Sequence, residues 1–203
     1  MRRIRPLFRV AILIIVIIGA VGWYFLSRGF SARNTPNRIE AFIAPRLRHL
    51  AVPRRAIEVK NPVVSSPEVL SEAMAHFADH CAICHGTDGG GKTHIADGLY
   101  PKPPDMREPA TQNLSDGEIY YIIRNGVRFT GMPAFGEASE DEDLDSWKLV
   151  TFIRHLGSMT PEELARMEEM MPKSPMEMQQ DEEIRKFLQG DDTAPPPQSH
   201  IHH

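Results

Sequence analysis

The chain has 203 residues, 41% hydrophobic and 25% charged, and this composition excludes a disordered or fibrous protein. The net charge of −4 conceals an asymmetry, because residues 1–60 contain 12 Lys/Arg against 2 Asp/Glu, whereas residues 61–203 contain 11 against 25. The acidic part argues against nucleic-acid binding, which needs positive charge to displace counterions from phosphate. Two cysteines are too few for a disulfide scaffold.

An uninterrupted apolar run over residues 10–26 follows four arginines at the N-terminus. As a helix this run spans about 26 Å, at the short end for a bilayer core. Trp23 and Tyr24 lie where an interfacial aromatic belt is expected. We predict that residues 1–27 form a basic cytoplasmic stub and an uncleaved transmembrane anchor. The alternative is a signal peptide, although no clear small-residue cleavage site follows the run.

Residues 28–66 are predicted to be a basic linker, in which four prolines break any long element. Fully extended, this segment reaches on the order of 130 Å, so the following domain would be tethered with room to move. Apolar and basic side chains alternate within it, which suits either a stretch lying on anionic lipid headgroups or a solvated linker. These side chains are Ile39, Phe42, Ile43, Leu47 and Leu50 beside Arg38, Arg46 and Arg48.

Residues 67–157 have the pattern of a small all-α domain. Ser66-Pro67 predicts a helix start, Ser115-x-x-Glu118 predicts a capped second helix ending at Gly126, and a third helix is expected over residues 144–156. No β alternation is evident, so the fold class is all-α. A Gly/Pro-rich loop joins the first two helices.

Residues 158–190 are predicted to be a helical extension. Two segments each combine a capping box with proline at the first helical position: Thr160-Pro161-Glu162-Glu163 and Ser174-Pro175-Met176-Glu177. They predict helices over residues 161–171 and 175–189, the second closed by Gly190. The remaining residues, 191–203, form a Pro-rich tail that is expected to be disordered.

Both cysteines fall in Cys81-Ala82-Ile83-Cys84-His85, the C-x-x-C-H signature of covalent c-type haem attachment. Cysteines three residues apart on one helical turn can form thioethers with the two haem vinyl groups, and the next residue, His85, can bind the iron. A thioredoxin-like motif would need a βαβ context. A structural zinc site would need a second pair of ligands, and the chain has no further cysteine.

The second axial ligand is expected from the loop after the second predicted helix. Met132 lies between Gly131, which permits close backbone approach, and Pro133, which stiffens the turn. Methionine also fills cores, and Met106 is the nearest competitor, earlier in the chain. Three histidines could ligate in principle, although the first two lie on the attachment helix itself: His76, His80 and His94.

Residues 67–157 resemble a monohaem class I c-type cytochrome of the small bacterial kind. The features that carry the resemblance are Phe77, residues 81–86, the loop at 100–105, residues 131–133, and a closing helix with Trp147 and Ile153. The resemblance implies one covalently bound haem c and a packed crossing of the first and last helices at Phe77 and either Phe152 or Ile153. It further implies that a carbonyl between Lys102 and Pro104 accepts the His85 ring N–H. Its candidate pocket residues are Pro103, Pro104, Met106 and Trp147.

With His85 and Met132 both bound to iron, no site remains for substrate, so the expected role is outer-sphere electron transfer and not enzymatic catalysis. Haem c is attached outside the cytoplasm, which predicts a single-pass bacterial inner-membrane protein with its haem domain in the periplasm. The expected partners are respiratory complexes with basic docking surfaces. The acidic run at residues 140–143 would steer the domain to them, unless it is only a solvated turn.

Two other functions stay open from the sequence. Six of the ten methionines lie in residues 159–178, and the chain ends in His200, His202 and His203, so a cytochrome subunit of a larger complex could also bind copper there. Packing against the haem domain would explain these methionines equally well. Alternatively, opening of the iron at Met132 would give a haem sensor or a peroxidase.

Overall fold

The computed structural model describes residues 4–27, 29, 31–136, 139, 143–173 and 175–189. Over these residues the chain is helical and contains no strand, which confirms the all-α prediction. Ser174, Gly190, residues 140–142 and the predicted histidine ligands His200, His202 and His203 lie outside the described residues. The helices are α1 (Ile4–Ser27), α2 (Arg38–Ala51), α3 (Arg54–Glu58), α4 (Pro67–His80), α5 (Ala82–His85), α6 (Pro109–Gln112), α7 (Asp116–Asn125), α8 (Leu144–His155), α9 (Pro161–Met170) and α10 (Pro175–Leu188).

Helix α1 is long and apolar enough to cross a membrane. Its candidate span, Phe8–Ser27, has 20 residues and no part of it is buried in the protein. Trp23 is 74% exposed at its C-terminal end. An apolar helix without a protein partner suits a lipid environment, so α1 fits a membrane anchor.

The core is built on the crossing of α4 and α8. Phe77 and Phe152 are fully buried, and their ring centroids lie 5.2 Å apart. The predicted crossing is therefore confirmed, with Phe152 as the partner of Phe77. The predicted start of α4 is also confirmed, because Ser66 Oγ accepts a hydrogen bond from the Val69 N–H and Pro67 is the first helical residue.

Helix α7 covers one side of this crossing. Its predicted capping box is present, since Ser115 and Glu118 each accept a hydrogen bond from the other's main-chain N–H, and Gly126 ends the helix with φ 64°. Ile119 and Ile123 are buried against the core. Helix α8 begins at Leu144 as predicted and continues as a 3₁₀ turn over Leu156–Ser158, so Gly157 lies within this turn.

Helix α9 packs against α4 and completes the core with methionine. Its predicted capping box at Thr160 and Glu163 is present, and it ends at Met170, one residue earlier than predicted. Met167 is fully buried, and three further methionines of the extension pack at the edge of the core. Four of the six methionines considered as copper ligands are thus packing residues: Met159, Met167, Met170 and Met171.

The prediction that prolines prevent long elements in residues 28–66 is wrong. Helix α2 has 14 residues and contains Pro45 in its interior. Asn37 caps the helix by accepting the Glu40 N–H at 2.9 Å. Tertiary contacts hold both sides of the proline, because the Tyr100 hydroxyl donates to Glu40 and His49 Nδ1 lies 2.5 Å from Glu118 Oε1. These contacts offset the one helical hydrogen bond that Pro45 cannot make.

The chain after α2 is held against the domain of residues 67–157 by packing and hydrogen bonds. Helix α3 packs on α7, and Ser115 Oγ donates to the Ile57 carbonyl at 2.8 Å. Asn61 Nδ2 donates to the Trp147 carbonyl at 3.1 Å and to Thr151 Oγ1 at 2.9 Å. Residues 38–63 are therefore docked and do not form the freely moving tether that the sequence predicted.

The acidic run also needs a correction at its last residue. Asp143 is 1% exposed, and its carboxylate accepts a hydrogen bond from Arg124 Nη1 at 2.9 Å. The same carboxylate caps α8 by accepting the Ser146 N–H. Asp143 is therefore a structural group, and it contributes no exposed charge for steering a partner.

At Gly117, the main chain of α3 lies very close to α7. A Cβ at this position would lie 1.8 Å from the Ala56 carbonyl oxygen, which is main chain and cannot swing aside. We expect Gly117→Ala to lower the free energy of unfolding by about 1–3 kcal/mol, because forced repacking outweighs the gain in helix propensity. Denaturant unfolding of the holoprotein measures this change.

Gly157→Ala is the matched control, since nothing lies within 4 Å of a Cβ at that position. This variant is expected to unfold within about 0.5 kcal/mol of wild type. Equal stability of the two variants would contradict a tight contact between α3 and α7.

Candidate haem-binding site

The attachment motif occupies one helical turn directly after α4. The Cys81 N–H donates to the Phe77 carbonyl at 2.8 Å, and the His85 N–H donates to the Cys81 carbonyl at 2.9 Å. Gly86 ends the turn with φ 78°, in the left-handed region that favours glycine. The turn thus holds Cys81, Cys84 and His85 in a fixed relation to the packed face of α4.

Both thiols are free of disulfide bonds. Burial and the neighbouring Cys84 raise the pKa of Cys81 to about 12, and burial also raises the pKa of Cys84. A thiol must lose its proton to bind zinc, so these surroundings disfavour a metal–thiolate site. Within the described part of the chain, no three His, Cys, Asp or Glu side chains form a cluster that could hold a metal ion.

His85 is 8% exposed, and its Nδ1 is a buried atom without a hydrogen-bond partner. Burial lowers the pKa of the ring to about 4, while the nearby Pro104 carbonyl acts in the opposite direction. The Pro104 carbonyl lies close to the ring but does not meet hydrogen-bond geometry at Nδ1. A buried neutral imidazole beside a carbonyl fits a haem ligand, because one nitrogen can bind iron while the other donates to that carbonyl.

Gly91 brings the predicted proline carbonyls to this ring. Its φ is 68°, its N–H donates to the His85 carbonyl at 2.7 Å, and a Cβ would lie 2.6 Å from the Pro103 oxygen. Met106 follows in the same loop, is 7% exposed, and donates its N–H to the Gly89 carbonyl. The structure therefore places Pro103, Pro104 and Met106 together beside the attachment turn.

A clamp of three charged side chains joins the two loops that flank His85. Arg107 Nη1 lies 2.7 Å from Asp88 Oδ2, and Arg107 Nη2 lies 2.6 Å from Asp105 Oδ2. The hydrogen bond from Arg107 lowers the pKa of Asp105 to about 2. No motif in the sequence indicates this clamp, because residues 88 and 107 are 19 positions apart.

Met132 lies in a tight loop after α7. The Val127 N–H donates to the Met132 carbonyl, and the Met132 N–H donates to Thr130 Oγ1, both at 3.1 Å. A Cβ on Gly131 would lie 2.7 Å from Leu99 Cδ2, so this loop packs closely against the segment that leads to Pro103.

Phe135 links the Met132 loop to the attachment turn. It packs against the core, and its ring centroid lies 6.3 Å from that of His80, the residue before Cys81. The loop of the second predicted ligand and the C-x-x-C-H turn therefore lie at the same end of α4.

The remaining candidates have other surroundings. Trp147 is 6% exposed and stacks on Tyr120 with ring centroids 4.0 Å apart, which accounts for its burial by packing with α7. The rings of His76 and His80 contact each other edge-on along α4. His94 is exposed.

Comparison with known families agrees with this geometry. Residues 68–153 match the family described as cytochrome c oxidase, cbb3-type, subunit III. These residues form a c-type cytochrome domain. The match runs from α4 into α8, covers less than half of the chain, and leaves α1–α3, α9 and α10 outside. No curated protein matches the chain.

The cytochrome c domain implies covalently bound haem c, and the residues present fit that group. The two cysteines stand one helical turn apart and form no disulfide bond, and His85 has a buried ring nitrogen without a protein partner, as such a ligand needs. When bound, haem supplies one-electron redox chemistry at its iron.

The Arg107 clamp predicts how the cytochrome domain responds to acid. The pKa of Asp105 is depressed in the folded state, so its stabilising contribution is present above about pH 4 and is lost as the pH falls toward 2. Arg107→Gln should therefore reduce stability by about 1 kcal/mol near neutral pH and make the loss of stability between pH 4 and 2 shallower. Urea unfolding of the holoprotein across this pH range measures both effects.

Lys102→Gln is the control from the same loop, because the Lys102–Asp97 ion pair is exposed to solvent. It should change stability by less than about 0.5 kcal/mol. An unchanged acid profile in Arg107→Gln would contradict the assigned role of the clamp.

Proposed function

We propose that this protein is a membrane-anchored monohaem cytochrome c that carries single electrons between respiratory complexes on the periplasmic side of a bacterial inner membrane. The observation that carries the proposal is the attachment turn with its buried His85, in which Cys81, Cys84 and His85 lie inside a domain that matches a cytochrome family. The single C-x-x-C-H motif supports one haem.

Each site residue has a defined part in this proposal. Cys81 and Cys84 would form thioethers to the haem vinyl groups, and His85 would bind the iron while Pro104 orients its imidazole. Met132 would supply the second ligand to the iron. Support for Met132 comes from Phe135, which brings the loop to the same end of α4 as the attachment turn.

His/Met ligation explains why electron transfer is preferred to catalysis. His85 and Met132 together would leave the iron of a bound haem without a coordination site for a substrate, which favours outer-sphere electron transfer. A thioether ligand favours reduced iron and therefore raises the reduction potential. A protein partner, and no small-molecule substrate, is then the redox counterpart.

The membrane topology follows from the chemistry of haem attachment. Because haem c is attached outside the cytoplasm, α1 would cross the membrane with its N-terminus inside and the haem domain in the periplasm. The partners would present basic docking surfaces, in keeping with the excess of Asp and Glu after residue 60.

A second candidate function is favoured by the family match. The matched family is described as a subunit of a cbb3-type cytochrome c oxidase, so this chain could be the c-type subunit of a comparable complex. Mild solubilisation and native electrophoresis separate the two proposals. A free carrier migrates alone with its haem stain, whereas a subunit migrates with terminal oxidase activity.

Copper binding in the C-terminal extension has less support than the sequence suggested. Four of its six candidate thioethers pack at the core, Met167 fully buried and Met159, Met170 and Met171 partly buried, so packing accounts for them without a metal ion. Copper would have to bind through Met176, Met178 and the terminal histidines His200, His202 and His203. Copper titration of the holoprotein truncated after Gly190 tests this, since unchanged affinity removes the tail histidines from the site.

Substitution of Met132 tests the second axial ligand. We expect Met132→Ala to abolish the weak methionine–iron charge-transfer absorption of the oxidised protein. It should also lower the reduction potential by a sizeable part of the roughly 0.8 V range that axial ligands control. Optical spectroscopy and redox titration of the full-length holoprotein provide these measurements.

Met106→Leu is the matched control, because Met106 is a buried methionine in the other loop beside His85. This variant should keep both the absorption band and the potential. If the band persists in Met132→Ala and disappears in Met106→Leu, the ligand assignment is reversed. If Met132→Ala binds peroxide or a small gas, that identifies the bond whose opening a sensor or peroxidase would need.

A further inference from the structure

Helix α2 presents an uncovered apolar face. Its five large apolar side chains occur at spacings of three, four, eight and eleven residues from the first, which places them on one side of a helix. None is covered by the described parts of the protein. The members of this face are Ile39 (71% exposed), Phe42 (60%), Ile43 (42%), Leu47 (59%) and Leu50 (76%).

Contacts between α2 and the cytochrome domain come from other positions. Glu40 accepts the Tyr100 hydroxyl, His49 meets Glu118, and Val52, which follows the helix, is buried. Arg48 and Glu40 are only partly exposed, as expected for the side that lies toward the domain. The apolar face therefore points away from the domain, while contacts at other positions hold the helix against it.

The position of α2 in the chain limits what can cover this face. Only ten residues, 28–37, separate α2 from the end of the membrane-spanning helix α1. Ten residues reach at most about 35 Å even when fully extended. Once α1 is in a bilayer, α2 is confined to the neighbourhood of that bilayer surface.

The charges of α2 suit an anionic surface. Arg38 and Arg46 are its exposed arginines, and its only acidic residue, Glu40, is engaged by Tyr100. The Arg46 guanidinium lies 3.5 Å from the centroid of the Phe42 ring, so a cation sits at the apolar face itself. Apolar side chains flanked by arginines are typical of helices that lie at the boundary of headgroups and acyl chains.

We propose that α2 lies in the headgroup region of an anionic bilayer, with its apolar face toward the acyl chains, and thereby holds the haem domain in one orientation to the membrane. The proposal rests on the anchoring of α1 under the proposed function. It adds that the domain is seated on the membrane, because residues 38–63 connect α2 rigidly to α7 and α8 through Glu118, Ser115 and Asn61.

Electron paramagnetic resonance of the ferric haem in oriented membranes tests this orientation. The full-length holoprotein is reconstituted in stacked multilayers of equal parts phosphatidylcholine and phosphatidylglycerol, and spectra are recorded as the stack is tilted. Alkaline carbonate extraction of the same membranes tests the α1 anchor separately. Wild type should resist extraction, and its haem signal should depend strongly on tilt.

The variants separate the apolar face from the anchor. Leu47→Gln with Leu50→Gln keeps good helix formers at both positions but makes the face polar. This double variant should resist extraction as wild type does, yet lose the dependence of its signal on tilt. Val64→Gln, at an apolar side chain that is 83% exposed outside α2, is the matched control and should keep the dependence.

Each result has a defined meaning. Release of wild type by carbonate would overturn the anchor, and the seating of α2 with it. Retention with a signal independent of tilt would overturn the seating alone, as would a double variant that remains ordered. If the dependence of the haem signal on tilt is lost when lipid is added in excess over protein, a second copy of this chain, and not lipid, covers the apolar face. An equal dependence in pure phosphatidylcholine would overturn the requirement for anionic lipid.

Discussion

The packing of Phe77 against Phe152 joins α4 to α8, and the rest of the cytochrome domain is built on this crossing. Cys81 follows Phe77 by one helical turn, so the packed crossing of α4 and α8 sets the direction in which the attachment turn leaves the core. The 3₁₀ turn after α8 also supports the loop beyond the attachment turn, because Leu156 lies against Gly89 so closely that a Cβ there would be 2.6 Å from Leu156 Cδ1. These two contacts therefore support the chain before and after His85.

The segment before the domain adds a second level of constraint. It was predicted to be a loose tether, but hydrogen bonds that involve His49, Ser115 and Asn61, together with one close backbone approach, dock it on α7 and α8. A free tether would allow one haem domain to visit several partners, whereas a docked segment that lies on the membrane as proposed would restrict it to partners within reach there. Under this proposal, the choice between carrier and complex subunit depends on residues outside the cytochrome motif.

The sequence correctly predicted the features that depend on residues close together in the chain. Capping boxes at Ser115 and Thr160 and the proline start at Pro67 were all found, since each depends on residues within one helical turn. The predictions were wrong where contacts with residues far away in the chain determine the local structure. Pro45 lies inside a helix because Tyr100 and Glu118 hold the helix on both sides of it, and the carboxylate of Asp143 is buried because Arg124 meets it.

The sequence by itself predicted haem attachment, because the C-x-x-C-H signature of residues 81–85 lies within one turn of helix. It also determined the apolar N-terminal span and the helical class, which depend on composition and short periodicity. Only the tertiary structure decided that Pro104 is the carbonyl beside His85, that Arg107 joins the two flanking loops, and that α2 turns its apolar face outward. These features arise from contacts between residues far apart in the chain, and no short pattern encodes them.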